Sequence, residues 1–134
     1  MSVASDDEPV WLGADVAVAI NARSIAVWGG QFTNVRDENL LRAAIARPLN
    51  KWHFNPVRPT IFELAAAYCF ALAKGHVFQD ANKRTAYVVS VTFLERNGII
   101  FAPDLLDAIR MLDAAAEGSA TEDDLANWFE RNSK

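Results

Sequence analysis

The sequence predicts an all-α fold, a compact bundle of about six helices. Apolar residues recur at helical spacing between recognisable start and stop signals, and strand patterning is nearly absent. The segment at 60–74 is apolar nearly all the way round, and the one that ends at Asn97-Gly98 is nearly all apolar, which assigns both to a core.

Taken in order, residues 1–8 read as a loosely held acidic start, and Pro9-Val10-Trp11-Leu12 as a short extended piece. Asp15 begins a first helix, whose apolar positions Val16, Val18, Ile20, Ile25 and Val27 lead to a stop at Gly29-Gly30. Asp37 caps a second through about Arg47, with Leu40, Leu41, Ala44 and Ile45 on one face and Pro48 ending it. Residues 49–59 read as a loop that holds two large aromatics. Thr60, with Glu63 three positions on, forms a capping-box pattern for a third helix that Lys74 and Gly75 close. A fourth runs from the polar cluster at 76–84 to Asn97-Gly98, and Ile99-Ile100-Phe101 is an extended link. Asp104 caps a fifth through about Glu117, ended by Gly118. The last spans Thr121 to Asn132, with Glu122, Asp123 and Asp124 where the helix dipole favours negative charge. No repeat, low-complexity tract or linker divides residues 1–134, so one domain is expected.

Composition narrows the function classes. With 134 residues, 51% hydrophobic and 22% charged, the chain can bury a sizeable core. A net charge of −4 argues against general nucleic-acid binding, so basic residues act locally. The single cysteine, Cys69, lies in an apolar run and reads as a buried thiol, which fits a reducing cytoplasm. No apolar run is long enough to span a membrane, and Asp6-Asp7-Glu8 interrupts any leader pattern.

The chemistry concentrates in His76-Val77-Phe78-Gln79-Asp80-Ala81-Asn82-Lys83-Arg84. Asp80 can cap a helix whose first turn holds Ala81, Asn82 and Lys83, and the free N–H groups of such a turn make an anion site. Lys83 adds a compact positive charge and Arg84 a fork matched to phosphate oxygens. Asp80 is also a hard oxygen donor suited to Mg²⁺, which takes one or two carboxylates plus a substrate's phosphates. Its capping and metal roles compete for the same oxygens. His76 is the candidate general base, since imidazole accepts a proton from a hydroxyl near neutral pH. Singly, each has a plainer reading: a histidine closing a helix, an aspartate cap, a solvated basic face. Five such residues within nine positions, at the entrance to an apolar helix, favour a site.

The string H-x-F-x-D-A-N-K-R-T resembles the signature of the Doc family of Fic-fold toxins, the enzymes of death-on-curing toxin–antitoxin modules. The likeness extends through Ile61-Phe62-Glu63, Ala73-Lys74-Gly75, Phe93-Leu94 and Arg96-Asn97-Gly98. Fic adenylyltransferases look like H-P-F-x-x-G-N-G-R; here Val77 replaces the proline, Ala81 the first glycine and Lys83 the second. These are Doc-like departures. The resemblance implies a Fic-fold bundle with a flap between the second and third helices, where Trp52, His53 and Phe54 would dock the target as an added strand. It implies an inverted ATP pose, with the γ-phosphoryl near His76, Mg²⁺ on Asp80, and Ala81, Asn82, Lys83 and Arg84 on the phosphates. The reaction would be phosphorylation of a threonine hydroxyl of elongation factor Tu. A Phd-like antitoxin would lay a C-terminal helix into a hydrophobic groove, for which Trp28, Phe32 and Trp128 are candidates. Three activities stay open: this kinase, a nucleotidyl transfer as in the wider superfamily, and a non-enzymatic binding protein.

Overall fold

Six consecutive residues, Leu64 to Cys69, are each fully buried, which leaves no solvent face on that stretch of the helix that carries them. That helix is the axis of the molecule. In the computed structural model, which describes residues 7–30 and 35–134, the helices are α1 (Ala14–Trp28), α2 (Glu38–Phe54), α3 (Ile61–Lys74), α4 (Asn82–Arg96), α5 (Leu105–Glu117) and α6 (Glu122–Arg131). Central α3 packs against α2, α4, α5 and α6, and α1 lies on α4. Among the described residues, two isolated antiparallel bridges, Val35 with Phe78 and Phe101 with Ser133, are the only extended pairings.

The caps predicted at Asp37, Thr60 and Asp104 form. Thr60 accepts the Glu63 N–H at 3.1 Å while Glu63 accepts the Thr60 N–H at 2.8 Å, and Thr121 and Asp124 repeat the reciprocal pair on α6. Asp37 and Asp104 cap α2 and α5. The opening segment is stitched down: Leu12 is buried, exchanging hydrogen bonds with the Tyr68 hydroxyl, and Trp11 stacks on Phe93. Of residues 1–8, read as loosely held, 1–6 lie outside the described residues, as does Phe32.

Two expectations are corrected. Pro48 does not end α2; the helix runs six residues further, to Phe54, taking Trp52, His53 and Phe54 out of the expected flap. Leu41, Ala44, Pro48 and Trp52 form one buried stripe, and Trp52 packs edge-on to Trp11 with the Arg58 guanidinium 4.0 Å over its ring. That burial outweighs the amide donor which the proline lacks. Second, α4 is buried on one face only. Thr85, Ala86, Val89, Phe93 and Leu94 face the core, but Val88 is exposed, because none of the described residues covers the seam where α1, α4 and α5 meet.

Candidate active site at the entrance to α4

The site begins where α3 stops. A side chain at Gly75 would place its Cβ 2.3 Å from the Ala71 carbonyl oxygen, so glycine is needed for the chain to leave the helix there. His76 follows in the left-handed region, φ 51°, a conformation that costs a non-glycine residue on the order of 1–3 kcal/mol. Neighbouring groups hold it. Arg36 donates from Nε to the His76 carbonyl at 2.6 Å, the Arg36 amide donates to the Val77 carbonyl at 2.8 Å, and Val35 bridges Phe78. Val77 and Phe78 are buried, anchoring the loop to the core, while His76 is exposed.

The loop closes on Asn82. Its side-chain oxygen accepts the Phe78 N–H at 2.9 Å and its amide nitrogen donates to the Phe78 carbonyl at 3.0 Å. Ala81, not Asp80, occupies the cap position of α4, in the left-handed conformation and with no side-chain cap. Asp80 stands one residue further out, accepting the Ala81 N–H at 2.9 Å. The first inward helical bond is Thr85 N–H to Ala81, so the amides of Asn82, Lys83 and Arg84 form the open N-terminal turn. An uncapped helix entrance of this kind favours an anion through both its N–H groups and its dipole.

The two cations are held from either side. Lys83 pairs with Asp113 on α5 at 2.7 Å, an exposed contact, while Arg84 donates to the Gly29 carbonyl at 2.7 Å. Beneath the loop, Asn21 on α1 is fully buried and donates to both the Asp80 carbonyl, at 2.9 Å, and the Thr85 hydroxyl, at 3.0 Å. A Cβ at Gly30 would lie 3.0 Å from Oδ2 of Asp80, so that side chain sits against the connection between α1 and α2.

His76, Asp80, Ala81, Asn82, Lys83 and Arg84 thus lie on one loop and helix entrance. Trp52, His53 and Phe54 do not join them. Arg36, two residues before α2, touches the His76 loop, whereas Trp52 lies about 21 Å of helical rise beyond the first residue of that helix, Glu38. Trp52 is buried, and His53 and Phe54 are exposed at that far end. The segment across the His76 loop is instead the α1–α2 connection, which supplies Gly29, Gly30, Val35 and Arg36. Sequence reasoning passed over Arg36 and Asn21. Asn21 carried a signal: with Ala17 and Ser24 it forms a stripe of small and polar residues at helical spacing, and all three are buried. Arg36 carried none, because its contact spans forty residues.

Among the described residues, no group of three or more His, Cys, Asp or Glu side chains is arranged to hold a metal, and no helix is long and apolar enough to cross a membrane. A carboxylate beside a helix entrance that favours anions suits a cation held mainly by a ligand's phosphates.

The Fic/DOC family model matches residues 11–94. The chain is 40% identical over 106 residues to a protein named Toxin Doc from Mycolicibacterium smegmatis, a match covering 79% of each chain. It is 33% identical over 116 residues to one named Protein kinase doc from Escherichia phage P1, covering 85% of this chain and 88% of the relative.

Proposed function

The chain belongs to the Fic/DOC family, and on that footing we propose that it is the toxin of a toxin–antitoxin pair, a cytoplasmic protein kinase that moves the γ-phosphoryl group of ATP to a protein hydroxyl. One observation carries the reading: an uncapped helix entrance bears Lys83 and Arg84, and the loop feeding it presents His76. The phosphates of ATP lie on the amides of Asn82, Lys83 and Arg84, and the Lys83 ammonium, drawn from exposed Asp113, neutralises charge on the transferred group. His76 takes the acceptor's proton; the hydroxyl oxygen bonds to the γ-phosphorus as its bond to ADP breaks, and ADP leaves. Asp80 would hold Mg²⁺ against the phosphates, where the ion supplies charge neutralisation. Asn82 keeps the loop closed and Asn21 fixes Asp80 from below. The acceptor that the resemblance implies is a threonine of elongation factor Tu, whose modification would arrest translation.

The antitoxin meets the toxin at the seam of α1, α4 and α5. An apolar groove of about 490 Å³ runs there, lined by Val27, Trp28, Val88, Leu105 and Ile109, with Arg23 and Arg84 beside them. Trp28 is 76% exposed and Leu105 71%. The apolar face of an amphipathic helix with acidic flanks fits that lining. Trp128 takes no part: it is buried, and its indole N–H donates to Asp107 at 2.7 Å.

Incubation with a bacterial extract and ATP labelled at either the γ- or the α-phosphorus tests the kinase. Label from the γ-position on a protein, lost with His76→Ala, is expected; label from the α-position would establish nucleotidyl transfer instead. For the groove, Leu105→Asp is expected to abolish relief of growth arrest by co-expressed antitoxin.

A further inference from the structure

A second cleft reaches the His76 loop. The groove between α2 and α3 has a volume of about 680 Å³ and reaches Gly75 and Val77, the residues on either side of His76. Ala43, Ala44 and Ala71 line it with small side chains that leave room between the helices, and Phe54 and Phe70 line it with Arg47, Lys51 and Lys74. Three cations therefore face one carboxylate, Glu122, in a chain whose net charge is −4. Arg47 and Lys51 pair with Glu122, whose side chain is only 12% exposed, whereas the Lys74 ammonium lies 5.3 Å from the centre of the Phe70 ring. Phe54 is 79% exposed at the far end. The lining positions on α2, from Leu40 through Ala44, Arg47 and Lys51 to Phe54, recur every three or four residues, so the cleft follows that helix along its length.

We propose that this cleft docks the acceptor protein, taking a segment that carries carboxylates and at least one large apolar side chain close to the modified hydroxyl. The inference rests on the kinase reading above. Three features support it: the cleft opens beside the base, its charge is opposite to that of the whole chain, and its exposed aromatic end offers an apolar anchor. Phe54 thus regains a docking role as the wall of a groove on α2, not as part of a flap.

The test uses full-length protein, γ-labelled ATP and the acceptor labelled by the wild type, expected to be elongation factor Tu. Lys74→Glu and Phe54→Ser, both on exposed side chains, are expected to raise KM for the acceptor tenfold or more, with KM for ATP unchanged. Arg96→Glu, outside the cleft, makes the same change of charge and is expected to leave acceptor KM alone. Added salt is expected to raise acceptor KM for the wild type more steeply than for Lys74→Glu. Equal acceptor KM for the wild type and both cleft variants overturns the docking inference and leaves the kinase standing. A rise in KM for ATP alone also overturns it, since the cleft would then hold nucleotide. Absence of γ-label with the wild type overturns both readings.

Discussion

His76 sits in a backbone conformation that a non-glycine residue adopts at a cost, and the Arg36 guanidinium on its carbonyl, 2.6 Å away, helps to fix it. Removing that contact lets the loop relax toward ordinary backbone and moves the imidazole. Arg36→Ala is expected to lower kcat by about ten- to a hundredfold with KM for ATP unchanged, and Arg36→Lys to recover part of the loss, in a γ-phosphoryl transfer assay. His76→Ala should lose about 10²- to 10⁴-fold in the same assay, the usual span for a positioned base. These two residues differ in how they could be found. His76 stands inside a dense polar string, but Arg36 makes its contact through a backbone carbonyl, which any residue at 76 would present. Asp80 shows a further limit: a carboxylate before an apolar helix suggests a cap, and only the left-handed turn at Ala81 moves the cap one residue on.

Among the elements, α3 and α6 follow directly from their sequences, because reciprocal capping boxes declare where each begins. Thr60→Ala is expected to cost about 1 kcal/mol, read as a lower denaturant midpoint. Helix α2 departs from its sequence signals. A proline inside it suggests a stop, yet the buried stripe that ends in Trp52 makes continuation the more favourable outcome. Trp52→Ala should therefore destabilise the fold by about 3–5 kcal/mol, measured by thermal or denaturant unfolding. If Trp52 belonged to a mobile loop, the loss would be near zero. Helix α1 departs differently: Val27 and Trp28 are exposed, while Asn21 and Ser24 are buried, because one face of α1 serves the loop and the other the groove.

At the scale of the whole molecule, burial governs the ionisation of the central helix. Cys69 is fully buried, and desolvation pushes its thiol from the ordinary value of 9.0 up to about 12, against a smaller opposing hydrogen bond with Ser90. The Tyr68 hydroxyl is raised for the same reason, with its bond to Leu12 opposing. A raised value means that the unfolded chain ionises first. The associated stability is complete below pH 9 and is lost as pH rises toward 12. Unfolding midpoints should therefore fall between pH 7 and pH 10.5, by less in Cys69→Ala than in the wild type. A thiol reagent should modify Cys69 only in denaturant.

By itself the sequence determined the helices, the central position of α3 and the polar string at the entrance to α4, because apolar period, caps and local clustering are properties of neighbours along the chain. The tertiary structure alone decided which segment crosses the His76 loop, which aromatic residues are exposed and where α2 ends. Each of those depends on contacts between residues far apart in sequence: Arg36 with His76, Trp52 with Trp11, Asn21 with Asp80. Such contacts form between surfaces that only folding brings together, so no local pattern announces them.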